Sequence, residues 1–299
     1  MSVLVVGSVA FDSIETPFGK HEKLLGGSAT YFSISASYFT DVMLVAVVGR
    51  DFPKKYIDLF HRYRVDTKGL KTASGETFHW KGRYQYDMNT AQTISTHLNV
   101  FSRFDPRLPG EYRHAKNIFL ANIDPDLQKK VLSQVSAPGF IACDTMNYWI
   151  KNKPKKLAKL AKKMDLFFLN DGEAREFSGE TNLLKAARFI LTLGTRMVII
   201  KKGEHGSLFF SKKGRFAVPG LPLETIVDPT GAGDTFAGGV MGYLARLGKI
   251  DEAKVRKAII YGSVMASFDV EAFSLNRLLK LNHRLIKNRY REFRKLTCF

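Results

Sequence analysis

The stretch Ile226-Val-Asp-Pro-Thr-Gly-Ala-Gly-Asp-Thr-Phe-Ala-Gly-Gly-Val240 decides how the chain is read. It joins an apolar strand end, a Gly-rich turn and the start of a helix whose apolar positions run Phe236, Val240, Leu244 and Leu247. Gly231 and Gly233 let the backbone turn where side chains would collide. The N–H groups of Gly231, Ala232, Gly233 and Asp234 are expected free at a helix N-terminus, where the dipole favours negative charge. A phosphate fits such a place. Asp234 is out of keeping with it, because a carboxylate repels an anionic ligand unless a proton has to leave an attacking hydroxyl. Two readings of Asp234 therefore stand, a general base and an ordinary helix-capping carboxylate.

Outward from this stretch, short apolar runs at Val3–Val6, Val42–Val48, Asn117–Ala121, Phe140–Cys143, Leu166–Leu169 and Arg196–Ile200 read as strands. Between them, Ala29–Tyr38, Pro53–Tyr63, Asp126–Val135, Pro154–Met164 and Leu183–Leu193 carry apolar residues at helical spacing. Strand followed by helix, repeated, predicts a parallel sheet covered on both faces. Residues 76–100 break the rhythm: Phe78, Trp80, Gly82, Tyr84 and Tyr86 alternate, as do Thr93, Ser95, His97 and Asn99, across Asp87-Met-Asn-Thr90. That is a hairpin, expected to form a small separate sheet as a lid. Ser207–Phe210 with Arg215–Val218 predicts a second hairpin at the far edge of the main sheet.

The composition is that of an ordinary globular chain: 299 residues, 45% hydrophobic and 25% charged, with no apolar run near the length that spans a bilayer. The N-terminus runs from Met1 straight into Val3–Val6 with no basic segment or cleavage site before it, so a cytoplasmic location is expected. Cys143 and Cys298 are too few and too far apart for a disulfide framework or a zinc site. The formal net charge of +18 raises the question of a nucleic-acid partner. Its densest stretches carry seven lysines between Lys151 and Lys163, and eight Lys or Arg against Glu292 between Arg277 and Lys295. Both also carry leucines at helical spacing, so they read as solvated faces of amphipathic helices, and neither nucleic acid nor membrane is expected as a partner.

No Gly-x-x-x-x-Gly-Lys-Ser/Thr occurs, Phe236 stands where a dinucleotide fingerprint needs glycine, and no His-Arg-Asp loop or Asp-Phe-Gly is present. Instead, Asp228-Pro-Thr-Gly-Ala-Gly-Asp-Thr-Phe-Ala-Gly-Gly239 resembles the C-terminal signature of the ribokinase-like (PfkB) carbohydrate kinase family. Gly7-Ser8 with Asp12, Gly26-Gly27, Asn170-Asp-Gly-Glu173 and Lys201-Lys-Gly-Glu-His-Gly206 fall in that family's order, so the resemblance covers nearly the whole chain. It implies an α/β fold, a three-layer α/β/α sandwich with a mainly parallel central sheet and a small antiparallel lid. All of residues 1–299 would form one kinase domain, with the lid built from about 12–25 and 72–100. It also implies transfer of the ATP γ-phosphoryl group to an alcohol.

Carried over by residue, the resemblance makes Asp234 the base, with the N–H groups of Gly231, Ala232 and Gly233 holding the transferring charge. Asp12, Gly26 and Gly27 would hold the acceptor. Asn170 and Glu173 would place Mg²⁺ through its waters, and Asn170, Lys201, Gly203, Gly206, Gly231 and Gly233 would line ATP. Asp228 and Thr230 are the candidates for a monovalent cation such as K⁺. Val264, Ser267 and Phe268 are the apolar candidates for the adenine pocket. Ser28 and Tyr31 stand where ribokinases proper carry Lys and Asn, which argues against ribose. Tyr31 either stacks on the acceptor or fills the core of its helix. Asn122, Asp144 and Asn147 follow strands at the sheet edge where ligands collect, as candidate specificity residues. The expected function is phosphorylation of a sugar or polyol, with a nucleoside acceptor as the alternative and an anion-binding scaffold without catalysis as the rival. A homodimer paired through the lid is a further expectation.

Overall fold

Along β1 (Ser2–Val6), Val3 and Val5 enter one apolar layer while Leu4 and Val6 enter another, and all four are fully buried. A strand covered on both faces needs no polar alternation, which is why such runs read as continuous apolar segments. The computed structural model describes residues 1–297. The chain continues through β2 (Ala10–Thr16), β3 (Gly19–Gly26), α1 (Ser28–Ser37), β4 (Asp41–Gly49), α2 (Lys54–Arg62), β5 (Val65–Ala73), β6 (His79–Tyr84) and β7 (Ala91–His97). The middle third holds β8 (Asn117–Leu120), α3 (Pro125–Leu132), β9 (Phe140–Cys143), α4 (Asn147–Asn152), α5 (Pro154–Ala161), β10 (Leu166–Asn170), α6 (Asp171–Ser178) and α7 (Leu183–Thr192). It ends with β11 (Met197–Lys201), β12 (Ser207–Ser211), β13 (Arg215–Val218), α8 (Ala232–Ala245), α9 (Glu252–Asp269) and α10 (His283–Leu296).

Nine strands form the central sheet in the order β13-β12-β11-β10-β9-β8-β1-β4-β5, parallel from β11 to β5, with β12 and β13 antiparallel at the far edge. Helices α1, α2, α8, α9 and α10 cover one face and α3 to α7 the other. A second sheet of order β3-β2-β6-β7 stands apart as the lid, as the sequence led one to expect. Its two outer ladders are antiparallel, while β2 and β6 run parallel, with Phe11 opposite His79 and Asp12 opposite Trp80.

The sequence reading missed β5. Its residues Val65-Asp-Thr-Lys-Gly-Leu-Lys-Thr-Ala73 do not alternate cleanly, because the ladder to β4 slips between Met43 and Val45 and the strand lies at the sheet's edge. Thr72 and Ala73 therefore belong to the central sheet, and the second lid segment begins at His79 instead of 72. The basic stretches behave as expected: Leu157 and Leu160 on α5, and Ile286 and Phe293 on α10, are buried beneath largely exposed cations. Cys143 is fully buried, and burial pushes its thiol well above the ordinary range; Cys298 lies outside the described residues. Among the described residues no helix is long and apolar enough to cross a membrane.

Candidate active site

Parallel strands end together, so Asn122 after β8, Asp144 after β9, Asn170 at the end of β10 and Lys201 at the end of β11 share one edge of the sheet. Asn170 and Lys201 are register partners. Chain order reverses around β1, and the crevice at such a switch is where open α/β sheets bind ligands. Gln128, fully buried on α3, ties this edge together by donating from Nε2 to the carbonyls of Leu120, Ala121 and Asp144 at 3.2, 2.9 and 3.1 Å. The sequence reading overlooked it, although a polar residue three positions before Val131 on an apolar helix face was its signal.

The Gly-rich turn enters this edge from the helical layer. Gly231 is the N-cap of α8 with φ +84°, and a β-carbon there would lie 2.4 Å from the Tyr31 ring, so both the backbone angle and the close approach require glycine. The N–H groups of Gly231, Gly233 and Asp234 have no partner among the described residues. Ala232 departs from expectation: its N–H donates to the Pro229 carbonyl at 3.2 Å, so it closes the turn and does not face the cleft. Asp234 caps nothing either. It is the third residue of α8, partly accessible and without a hydrogen bond among the described residues, which removes the capping reading. Burial and the neighbouring Asp144 push its carboxyl up to about 7 against the pull of Lys201.

On the acceptor side, Asp12 comes against the double glycine. Its Oδ2 accepts from Gly27 N at 3.3 Å, and a β-carbon on Gly26 would stand 1.9 Å from the same oxygen. The turn is braced by Ser8 and Ser28, whose hydroxyls lie 3.1 Å apart. Burial drives the Asp12 carboxyl to about 7, helped by Asp228 and Asp234 and opposed by the Gly27 N–H. Tyr31 is 1% exposed with its ring beneath Gly231, so it shapes the turn and presents no face to the cleft. Beside Asp12 on the lid, the Trp80 indole lies flat across Gly82, where a β-carbon would meet it at 2.1 Å, and its Nε1 donates to Thr93 Oγ1 at 3.2 Å. Asn122 Oδ1 is buried without a partner among the described residues.

On the phosphate side, Lys201 Nζ bonds Asp144 Oδ2 at 2.7 Å, which takes Asp144 out of the expected acceptor set. Asn170 and Glu173 form a capping box at the start of α6: Glu173 N donates to Asn170 Oδ1 and Asn170 N to Glu173 Oε2, both at 2.7 Å. Glu173 is also buried, and burial carries its carboxyl to about 7 against the pull of Lys201. Gly203 and Gly206 form the turn between β11 and β12, and the lid tip reaches it, with Asn89 Nδ2 donating to Glu204 Oε1 at 3.1 Å. Asn147 instead donates to Glu176 on an exposed helix face.

Asp228 and Thr230 are otherwise engaged. Asp228 Oδ1 accepts from Thr230 N and Oδ2 from Ser274 N, at 2.9 and 3.1 Å, and Thr230 Oγ1 lies 3.4 Å from Tyr84 Oη. Both carboxylate oxygens tie the loop, each through one backbone N–H. Neighbouring Asp269 is buried with neither oxygen partnered among the described residues, and burial with Asp228 nearby holds its carboxyl well above the usual range. Val264 and Phe268 are closed into the helical core, Phe268 under the Arg289 guanidinium at 3.7 Å, so they line no open pocket.

The sequence pattern described as pfkB family carbohydrate kinase matches residues 2–280. A cytidine kinase from Thermococcus kodakarensis is 29% identical over 259 residues, 84% of this chain and 91% of that protein. Among solved structures, a Burkholderia thailandensis nucleoside kinase in complex with inosine superposes with a TM-score of 0.79 at 18% identity, covering 97% of each chain. An Escherichia coli ribokinase-like protein in complex with ATP and Mg²⁺ also gives 0.79, at 19% identity over 99% of each chain. With the signature turn, the double glycine and the lid in that family's order, the chain belongs to the pfkB family of carbohydrate kinases.

Proposed function

We propose that the protein transfers the γ-phosphoryl group of ATP to a hydroxyl of a nucleoside. The observation that carries the transfer is Asp234, a partly accessible carboxylate set beside three N–H groups at a helix N-terminus, all without a partner among the described residues. The nucleoside is supported by Trp80, a flat indole on the strand next to Asp12 where a base would stack while Asp12 holds ribose hydroxyls. The cytidine kinase that spans most of both chains is in keeping with that choice. A sugar or polyol acceptor is the second reading, since Asp12 and Gly27 N–H recognise hydroxyls without needing a base.

In this mechanism Asp234 takes the proton as the acceptor oxygen attacks, so the O–H bond breaks while the new P–O bond forms and ADP leaves. The N–H groups of Gly231, Gly233 and Asp234 face the charge that develops on the phosphoryl oxygens. Lys201 adds a cation at their rim, and Asn170, Gly203 and Gly206 flank the nucleotide. The donor set suits a hydrated Mg²⁺: Glu173 keeps one carboxylate oxygen clear of the capping box, and Asp144, Glu173 and Asp234 outnumber Lys201. Bound there through Glu173 and Asn170, the ion would neutralise phosphate charge. No step is assigned to K⁺.

The test is ATP consumption by wild type and Asp234→Asn over nucleosides, pentoses, hexoses and polyols with Mg²⁺. Turnover with a nucleoside, reduced about 10³-fold in the variant, is expected. Turnover confined to plain sugars would move the acceptor to the second reading, and an active variant would remove Asp234 as the base. Because Asp234 acts ionised and its carboxyl sits at about 7, kcat/KM should rise with pH through that value.

A further inference from the structure

Lys201 is buried among three carboxylates and bonds one of them. Burial works against its ammonium, but Asp144, Glu173 and Asp234 together outweigh that and hold it charged. Only Asp144 lies in contact, at 2.7 Å, with 5% of its side chain exposed and 17% of the lysine's. The other two differ in what they have free. Glu173 has only Oε1 left, since Oε2 is taken by Asn170 N, whereas neither oxygen of Asp234 has a partner among the described residues. Nothing in the lysine's long, flexible chain keeps it from the unpartnered carboxylate.

What restrains it is the rigidity of Asp144. The backbone N of Asp144 donates to Leu120 O at 3.0 Å, its carbonyl accepts from the buried Gln128 at 3.1 Å, and its Oδ1 accepts from Thr145 N at 2.8 Å. One carboxylate oxygen is thus locked to the sheet edge and the other presented to Lys201. The ammonium so held stands against the turn, where a β-carbon added to Gly233 would be 3.2 Å from Nζ.

We propose that Asp144 is a positioning residue that holds Lys201 at the rim of the N–H cradle and off Asp234. The cation is then available to phosphoryl oxygens while the base stays unpaired. This rests on the phosphotransfer reading above. Without the Asp144 charge, the ammonium keeps its proton and moves to Asp234, which costs more than losing the ammonium altogether: a base bridged to a cation is both weaker and blocked.

The experiment is a mutant cycle. Asp144→Asn should lower kcat about 10³-fold and Lys201→Met about 10²-fold, with acceptor KM within about threefold. The double variant should recover to the level of Lys201→Met, and Asp144→Glu should keep most of the activity. Losses that multiply in the double variant, or an Asp144→Asn enzyme with near wild-type kcat, overturn the proposal. A crystal structure of Asp144→Asn gives a readout independent of acceptor: Lys201 Nζ is expected on Asp234, and a separation beyond about 4 Å sinks the idea. Melting temperatures guard against misfolding. If wild type turns over no acceptor, the phosphotransfer reading fails while that structure still decides the placement of Lys201.

Discussion

The C-terminal side of the cleft and the lid are built from different materials. Around Gly231 the proposed binding surface is the backbone itself, fixed by a left-handed glycine over Tyr31, the Pro229 to Ala232 turn and the Asp228 ties to Thr230 and Ser274. On the lid the groups proposed to meet the acceptor are side chains, Asp12 and Trp80, on a four-stranded sheet with much of β7 exposed to water. A phosphoryl group is the same for every acceptor and can be met by backbone. An acceptor varies, and side chains can change without disturbing the turn. Substitutions on the first side should therefore act on kcat and on the second on KM.

The largest expected effect breaks the comparison at its rigid end. Besides its loss of turnover, Asp234→Asn should stabilise the ligand-free protein at alkaline pH. The folded carboxyl sits at about 7, above its unfolded value, so stability falls as pH climbs from about 4 through about 7 and is constant on either side. The melting-temperature advantage of the variant should grow over that window; an advantage independent of pH would mean that Asp234 is not held up by burial. Next, Gly231→Ala places a methyl group 2.4 Å from the Tyr31 ring at a φ of +84°, and should lower kcat about 10²-fold with a fall in melting temperature. An unchanged kcat would show that the turn tolerates movement.

On the lid the effects are smaller and fall on binding. Trp80→Ala should raise nucleoside KM about tenfold, in line with about 1–3 kcal/mol for a stacked base, and leave kcat within about twofold. An equal rise for a plain sugar would reduce Trp80 to a brace for the hairpin. Smallest of all, Asn89→Ala removes the contact with Glu204 and should raise KM only about two- to threefold, with faster amide exchange at residues 85–90 as the direct sign of a looser tip.

The same contrast explains what the sequence disclosed. The Gly-rich turn and its Asp234 were readable because backbone conformation and helix start are local properties, encoded in neighbouring residues. The alternating hairpin and the α/β rhythm were readable for the same reason. The Lys201–Asp144 pair depends on β9 and β11 flanking β10, an adjacency that no local pattern records. Ala232 lost its place in the cradle to one hydrogen bond within the turn. The burial of Glu173 was not legible either, because the charged groups around it, Lys201 and Asp144, come from the ends of other strands. β5 escaped notice because an edge strand with a slipped register carries no period of two.

The parallel pairing of β2 with β6 has a consequence for the order of assembly. The hairpins that carry its two strands are separated in the chain by α1, β4, α2 and β5, all of which lie in the body of the molecule. The β3–β2 and β6–β7 hairpins can each form early, but they cannot join until that intervening segment has taken its place beside β1, because closing so long a loop is offset only by contacts made after it closes. The seam between Asp12 and Trp80 is thus expected to form late in folding. A ligand that touches both residues bridges two separately formed halves, so that occupancy of the site should slow the parting of the seam and couple acceptor recognition to completion of the fold.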